Sequence, residues 1–576
     1  MPQGKIIVAS GALLIGIICI LPNILGYIEL GRKYEPFTKF FTSPIVFDEV
    51  AVYGSSAAYV AETNKLPGET EIFELRDLPS IKYHLPIFFE GLTGKISRNT
   101  RIGWIVFKFL FPATSFILAF YVARKLSGNT WIGILAATIF FSVGFGARTL
   151  IDINSAQPIL FSRIHSPAAT LPFFLIFIIS LTRAIEGNRK EILIAGIAGG
   201  LLFYTYYYYQ LAIAPALIIL CLWYSQEKKW AQVKSIILIG IIANIVALPW
   251  YINYLETTLR SPHFLSRWQA NTYFPPIEHI LLLVAVIVLL IVGRHIREKK
   301  ISSEPLEVYR PLLALIISSA FLEFIVATNT TVILEPGHFT QQIIISLSSI
   351  AAVSYFGRYL LLMPRYKKII AGTALIIVAV ALVKQYSVWE NTKAFFVASE
   401  NERIAERLVK KHTTTDDVIA LNDPYLSSVF PARIWRYRFY GSYGFSGLAS
   451  TPADENLKRY IIIRKLFGAP WKEIEQELRA EKETIQSPLK TATIPFLLTF
   501  ETKTPEPNTI KALGAFYAAP PEDFFAKRKL THLVSTTIEE GRMAQDNAAE
   551  LGMKLIKVAE ENGVGIYKIT SKQVKI

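Results

Sequence analysis

Long apolar runs separated by short polar segments dominate the first two thirds of the chain. A helix needs about 20 apolar residues to cross a bilayer, and eleven of these runs reach that length with several residues added at each edge. They fall at about 6–27, 103–123, 130–147, 167–182, 192–207, 211–224, 235–253, 279–293, 311–328, 341–357 and 369–384. The pattern therefore predicts a polytopic α-helical membrane protein with about 11 transmembrane helices.

After residue 384 the pattern changes to that of a soluble α/β domain. Short apolar stretches at 417–421 and 532–535 predict buried strands, and those at 555–558 and 565–569 predict later strands. The last two flank Asn562-Gly563, which predicts a hairpin turn. Helical patterns lie between the strands, at 453–466 and 470–483.

We therefore expect two domains. Residues 1–384 form the transmembrane domain, whose first outside loop, about 29–100, is unusually long. Residues 385–576 form the soluble domain. The apolar run at 6–27 has no small-residue cleavage site at its end, so it is predicted to be retained as a membrane anchor.

Composition agrees with a membrane protein that carries a soluble part. Of the 576 residues, 52% are hydrophobic and only 18% charged, and the mean hydropathy is +0.37. These values exclude a large soluble enzyme. The two cysteines, Cys19 and Cys221, both lie inside apolar runs, so no disulfide framework is predicted.

The distribution of basic residues predicts the topology. With the N-terminus in the cytoplasm, the inner segments hold 18 Lys and Arg residues and the short outer loops hold four. Positive charge concentrates on the cytoplasmic side of membrane proteins, so we expect a multi-pass protein, of the plasma membrane, with an extracytoplasmic C-terminal domain. The same placement accounts for much of the net charge of +15 without a nucleic-acid partner.

The stretch Ile45–Tyr53 carries two adjacent acids, Asp48 and Glu49, just beyond the first apolar run. A solvated turn or a helix N-terminus would also explain an Asp-Glu pair. The residues that follow, including Tyr53 and the Ala57-Ala58 pair, fit a helix lying against or near the membrane. A second surface helix, entered through a proline, is predicted near Pro86 in the same loop.

Other polar and aromatic residues gather on the predicted outer face. Five of the eight histidines fall there, at spacings that fit no zinc motif: His84, His165, His263, His279 and His338. They could be a scatter of interface residues. The tyrosines of the stretch Tyr204–Gln210 could likewise be an interface belt, or they could form an aromatic wall of a lipid or sugar site.

Asp48, Glu49 and Tyr53, followed by Lys82-Tyr83-His84-Leu85-Pro86, resemble the signature of GT-C type membrane glycosyltransferases. The class includes transferases of the glycosyltransferase family 39 and dolichyl-phosphate-mannose type. The layout of about eleven spans with an outside C-terminal domain is also similar to that class. Many members read Pro-Pro-Leu where this chain has His84-Leu85-Pro86, so the match to any one subfamily is incomplete.

The resemblance implies inverting transfer of a sugar from a polyprenyl-phosphate donor to an extracytoplasmic glycan, lipid or protein acceptor. Asp48 would be the base that takes the acceptor's proton, and Glu49 would assist. Tyr53, Tyr207 and Tyr208 would form a substrate wall. Groups that could stabilise the leaving phosphate are Lys82, His84, Arg163, His165, Arg267 and His338. A divalent metal could sit at the acids, but two carboxylates alone make a poor metal site, which favours metal independence.

Two other classes of protein remain open. A transporter would place charged groups near the bilayer midplane, and Glu323, inside a predicted span, is the residue that favours it. An assembly scaffold could use the outside domain to bind partners, but it would leave the long acidic first loop unexplained.

Overall fold

The computed structural model describes most of the chain. The described residues are 2–37, 49–68, 72–79, 84–143, 168–260, 304–328, 339, 343–440, 453–479, 507–521, 524–525 and 527–571. The predicted run at 279–293 lies outside them.

Twelve helices are described before residue 393. They are α1 Pro2–Leu30, α2 Ser55–Thr63, α3 His84–Ile96, α4 Thr100–Ser127, α5 Thr130–Val143, α6 Leu171–Ile185, α7 Arg189–Leu201, α8 Tyr207–Gln226, α9 Trp230–Arg260, α10 Glu304–Thr328, α11 Ile345–Leu360 and α12 Tyr366–Thr392. Each of the other ten predicted runs overlaps one of these helices. Among the described residues, five helices are long and apolar enough to cross a membrane, and three more apolar helices are shorter.

The long helices share one apolar core. Phe120 on α4, Phe140 on α5, Phe174 on α6 and Leu220 on α8 are buried in the same cluster. Many other apolar side chains point outward; Leu222 and Ile245, for example, are more than half exposed. An apolar outer surface is expected where helices face lipid.

The C-terminal region is built on a five-stranded mixed sheet. Its helices are α13 Glu400–His412, α14 Pro424–Arg433, α15 Ala453–Leu466, α16 Trp471–Arg479, α17 Pro507–Ala518 and α18 Ile538–Ala548. Its strands are β1 Val418–Leu421, β2 Tyr437–Arg438, β3 His532–Ser535, β4 Met553–Glu561 and β5 Val564–Ser571. The order is β2-β1-β3-β5-β4, with the first three strands parallel and the last two antiparallel to their neighbours.

Local sequence explains several of these elements. Every residue of β1 and of β3 is buried, as expected of strands that are covered on both faces. Asn562 and Gly563 both have positive φ, which suits the predicted β4–β5 hairpin turn. Ser399 caps α13 by accepting a hydrogen bond from the Glu402 amide at 3.2 Å. The predicted fold class, a helical membrane protein with a C-terminal α/β region, is confirmed.

The two regions meet in one apolar core. Phe37 and Val50 from the first loop, with Phe107 on α4, are buried in the same cluster as Ile404 on α13 and Phe430 on α14. The predicted helix after the acid pair does form, as α2. Its Ala58 packs into the core of the C-terminal region, a contact that the sequence did not predict.

Candidate functional site

The stretch after the acid pair enters the protein. Asp48 lies outside the described residues. The next described residue is Glu49. It begins a π-helical turn, Glu49–Gly54, that leads into α2. Val50 is fully buried, and so are Ser55 and Ser56 at the start of α2. A solvated turn would leave such residues exposed, so burial of this segment counts against that interpretation of the acid pair.

α2 is held tightly against α3. A Cβ added at Gly91 would lie 2.5 Å from the Val60 Cβ and 2.7 Å from the Ala57 carbonyl oxygen. Only glycine allows two helices to approach this closely. The packing fixes the direction in which the chain leaves the acid pair.

His84 begins α3, two residues before Pro86. Its side chain is buried, with only 7% of its surface exposed. Its ring centroid lies 6.1 Å from that of Tyr204, at the turn between α7 and α8. The structure therefore brings one predicted phosphate-binding residue to the tyrosine-rich turn.

The segment before His84 is fastened to α9. The Thr257 hydroxyl donates a hydrogen bond to the Pro79 carbonyl at 2.7 Å, and the Arg260 guanidinium donates to the Asp77 carbonyl at 3.1 Å. On the other side, Glu74 accepts from Arg459 on α15, with both distances 3.1 Å, and from the Lys529 amide at 2.6 Å. The loop is thus anchored to both regions.

Three tyrosines of the α7–α8 turn, Tyr206, Tyr208 and Tyr209, lie inside the protein. Tyr206 and Tyr208 are almost fully buried, and their ring centroids are 5.1 Å apart. Tyr208 also meets Phe339 edge to face at 5.1 Å, and Tyr209 stacks on Phe174 at 4.2 Å. An interface belt would expose these rings to lipid, so their burial favours an internal aromatic cluster over a belt.

A second contact joins α2 to the C-terminal region. Glu62 accepts hydrogen bonds from the Trp435 amide at 2.9 Å and from the Arg436 guanidinium at 3.2 Å. The Trp435 ring meets Tyr59 edge to face at 4.8 Å. The Trp435 residue is 2% exposed, whereas the Glu62 side chain is 32% exposed, so the polar contact lies at the edge of the buried junction.

A buried ion network lies at the end of α1. Arg101 pairs with Glu35 and with Glu406 on α13, each at 2.7 Å. Arg433, at the end of α14, pairs with Glu402 at 2.7 Å and lies 3.9 Å from Glu35. Burial of Glu35 opposes its ionisation, but Arg433 and Arg101 outweigh it and hold its pKa below the ordinary value.

The structure places only part of the predicted site. For Glu49 and Tyr207 only the backbone is described. Tyr53 is half-buried, and His84 and Tyr208 are buried. Five further predicted residues lie, like Asp48, outside the described residues: Lys82, Arg163, His165, Arg267 and His338. Their roles stay predictions.

Sequence reasoning missed the charged residues that join the two regions. In the sequence, nothing distinguishes these residues from solvated charges: Glu35, Glu62, Arg101 and Arg433. Arg433, for example, donates to the Phe37 carbonyl 396 residues away, so no local pattern could reveal such pairings. Within the described ranges, no three His, Cys, Asp or Glu side chains lie close enough together to hold a metal ion.

Comparison with solved structures finds similarity over almost the whole chain. The chain is similar to ArnT from Cupriavidus metallidurans bound to undecaprenyl phosphate, with 13% identity and a TM-score of 0.41, covering 98% of this chain and 97% of that one. The apo structure of the same protein gives 13% identity and a TM-score of 0.39 over the same shares. No family model matches the sequence, and no curated protein matches it.

Proposed function

We propose that this chain is a membrane glycosyltransferase that moves a sugar from a polyprenyl-phosphate donor to an extracytoplasmic acceptor, with inversion at the anomeric carbon. One observation carries the proposal: Asp48-Glu49 leads directly into a buried segment whose Val50 packs between the membrane helices and the C-terminal region. Acids that directly precede a covered junction in the sequence are better suited to catalysis than acids within a solvated loop.

In this proposal Asp48 acts as the general base. Its carboxylate takes the proton from the acceptor hydroxyl as that oxygen attacks the anomeric carbon. The bond from the anomeric carbon to the phosphate oxygen breaks, and its electron pair leaves with the polyprenyl phosphate. Glu49 is proposed to orient Asp48 or the acceptor.

His84 is proposed to stabilise the leaving phosphate. It stands in the first turn of α3, where backbone amides without helical partners favour an anion. Lys82, Arg163, His165, Arg267 and His338 are proposed to supply further cationic or hydrogen-bonding groups. The buried position of His84 supports the proposal, because hydrogen bonds to a charged group are strongest where water is excluded.

Tyr53, Tyr207 and Tyr208 are proposed to line the sugar site. An aromatic face can stack on the apolar face of a sugar ring while a phenol oxygen bonds its hydroxyls. We further propose that the C-terminal region covers the site and helps to bind a glycan, lipid or protein acceptor. The contacts of Glu62 and Glu74 with that region support this role, because they tie it to the loop that carries the acids.

The test is transfer by the purified full chain. Reconstituted in vesicles with a radiolabelled polyprenyl-phosphate sugar, the protein should move label to an acceptor fraction supplied on the outer side. The donor should disappear at the same rate. Absence of transfer with every acceptor class, despite donor binding, would overturn the proposal.

A transporter is the second candidate, and one observation favours it. Glu323 lies within α10 and is completely buried, as carriers often require of an ionisable group inside the membrane. Substrate counterflow in the same vesicles without chemical change in the sugar lipid would support this candidate. Transfer without counterflow would support the glycosyltransferase.

A further inference from the structure

A groove lies where α1 ends and the C-terminal region begins. Its volume is about 1080 Å³, and it is bounded by the turn Gly31–Lys33, the start of α4 and one face of α13. Six basic side chains and two acidic ones, Glu400 and Glu406, line it. We call this feature the basic groove.

Much of the positive charge in the basic groove is uncompensated. Among the described residues, no carboxylate pairs with Arg32, Lys33 or Lys410, and Arg403 donates only to the Tyr34 carbonyl, at 3.3 Å. The other two basic residues are occupied: Arg101 holds Glu35 and Glu406, and Arg407 pairs with Glu561. Cations gathered without counterions repel one another, and a bound anion would relieve that repulsion.

The arrangement comes from two separate parts of the chain. Arg403, Arg407 and Lys410 are spaced four and three residues apart, so they share one face of α13. Arg32 and Lys33 come from the last turn of the first span and face that helix across the groove. The Glu35–Arg101–Glu406 pairing holds the two parts in register.

The groove opens at the level where α1 leaves the membrane. The candidate span runs Gly4–Lys33, so Arg32 and Lys33 stand at its end. Tyr27, one turn earlier, is 47% exposed and also lines the groove. Tyrosine and basic residues at a span end are typical of the headgroup level. Phospholipid headgroups carry their phosphates at that level.

We propose that the basic groove binds the phosphate headgroup of an anionic membrane lipid. The site is separate from the proposed donor site, because α3, about 18 Å long by its rise per residue, runs from His84 to the neighbourhood of Asn99 at the groove. Arg32, Lys33, Arg403 and Lys410 contact the phosphate, and Tyr27 contacts the glycerol and upper acyl region. The site would fix the C-terminal region at the membrane surface whether or not the chain transfers a sugar.

The test is a binding titration of the full chain in detergent with dioctanoyl phosphatidic acid. Replacing Arg32 or Lys410 with Gln should weaken binding by about fivefold each, and replacing both by about 25-fold. Lys411→Gln is the matched control: it removes the same charge one residue away, outside the groove, and should leave affinity unchanged.

Two further titrations decide the nature of the ligand. Dioctanoyl phosphatidylcholine should bind at least tenfold more weakly, and so should inorganic phosphate. If phosphatidylcholine bound as tightly as phosphatidic acid, the net charge of the lipid would not matter for binding. If inorganic phosphate bound as tightly, the site would not be specific for a lipid. Unchanged affinity for phosphatidic acid in a double Arg32→Gln, Lys410→Gln variant with wild-type Tm would refute the proposed site. A His84→Ala variant should still bind, which separates this site from the donor site.

Discussion

Arg101 and Glu35 form a buried ion pair in which one guanidinium meets both carboxylate oxygens. The Nη2–Oε2 distance is 2.7 Å, and Nε lies 3.0 Å from each oxygen. The Nη1 and Nη2 atoms of the same guanidinium donate to the Glu406 carboxylate at 3.0 Å and 2.7 Å. Arg101 opens the second long helix and Glu406 lies on α13, so a single side chain fastens the membrane region to the C-terminal region.

Replacing Arg101 with Met should destabilise the protein strongly. Glu35, whose side chain is 2% exposed, would lose the guanidinium that hydrogen-bonds both of its carboxylate oxygens. Breaking a buried pair from one side costs about 3–5 kcal/mol. The loss should appear as a lower Tm of the purified protein and as faster proteolysis at the junction.

Lys125→Met is the control for that variant. Lys125 pairs with Glu186 at 2.9 Å, but half of the lysine side chain is exposed. Such surface pairs contribute only about 0–1 kcal/mol, so the Tm should hardly move. Equal Tm changes in the two variants would show that the Arg101 network does not hold the regions together.

Alanine should have opposite effects on stability at two glycines, one in the contact between α2 and α3 and one in open space on α12. Gly91→Ala should destabilise by about 1–3 kcal/mol, because the new methyl group would overlap Val60 and the Ala57 carbonyl. Gly372→Ala, in α12, meets nothing within 4 Å and should be neutral or stabilising by up to about 1 kcal/mol. Thermal unfolding of both variants in one detergent checks this. A stable Gly91→Ala protein would mean that the two helices can separate at little cost.

Glu455 predicts an acid-dependent loss of stability in the C-terminal region. Burial opposes its ionisation, but Arg528 and Arg459 lower its pKa from 4.5 to about 2. A lowered pKa in the fold means that the charged form stabilises the folded state. The contribution is therefore complete above about pH 4.5 and is lost as the pH falls toward about 2.

Glu455→Gln should remove roughly 2–3 kcal/mol of stability at pH 7 and flatten the acid limb of the profile. Glu475→Gln is the control, because its Arg479 partner is half exposed. Unfolding measured from pH 7 to pH 2 gives both the loss of stability at pH 7 and the slope of the profile at acid pH. If the Glu455→Gln and wild-type profiles keep the same slope below pH 4.5, the ion pairs of Glu455 do not account for the acid sensitivity.

The sequence predicted the elements whose signals are local. Apolar runs predicted the membrane helices. A segment that crosses a bilayer must pair its own backbone N–H and C=O groups, and an α-helix does so. Asn562-Gly563 predicted the hairpin, because few other pairs accept positive φ at both positions. Strand β2 was missed because Tyr437 and Arg438 are too few to show a pattern.

Pairings between distant parts of the chain could not be predicted. Val50 and Ile404 share a core although more than 350 residues separate them. The sequence predicted that the helix after the acid pair lies against or near the membrane, but it could not show that Val50 packs against the C-terminal region. Of the candidate site, the sequence predicted His84 and the tyrosine turn but could not show that they are neighbours.

His84→Ala should weaken use of the donor more than use of the acceptor. Loss of a hydrogen bond to a charged phosphate should raise the apparent KM for the polyprenyl-phosphate sugar about tenfold. The KM for the acceptor should stay within about twofold, because His84 is proposed to contact the phosphate alone. His412→Ala, at the end of α13, is the control and should change neither value. A larger rise in the acceptor KM would place His84 elsewhere in the reaction.

The transfer rate of Asp48→Asn tests the central proposal most directly. Asn preserves the shape and hydrogen-bonding capacity of Asp but cannot accept the acceptor's proton, and a general base contributes about 10²–10⁴-fold. The control is Asp77→Asn in the same loop, whose side chain is 74% exposed. At equal membrane abundance, Asp48→Asn should lower transfer by that factor with donor binding unchanged, while Asp77→Asn should transfer normally. Near-normal transfer by Asp48→Asn and by Glu49→Gln would contradict the account and leave the acid pair without a catalytic role.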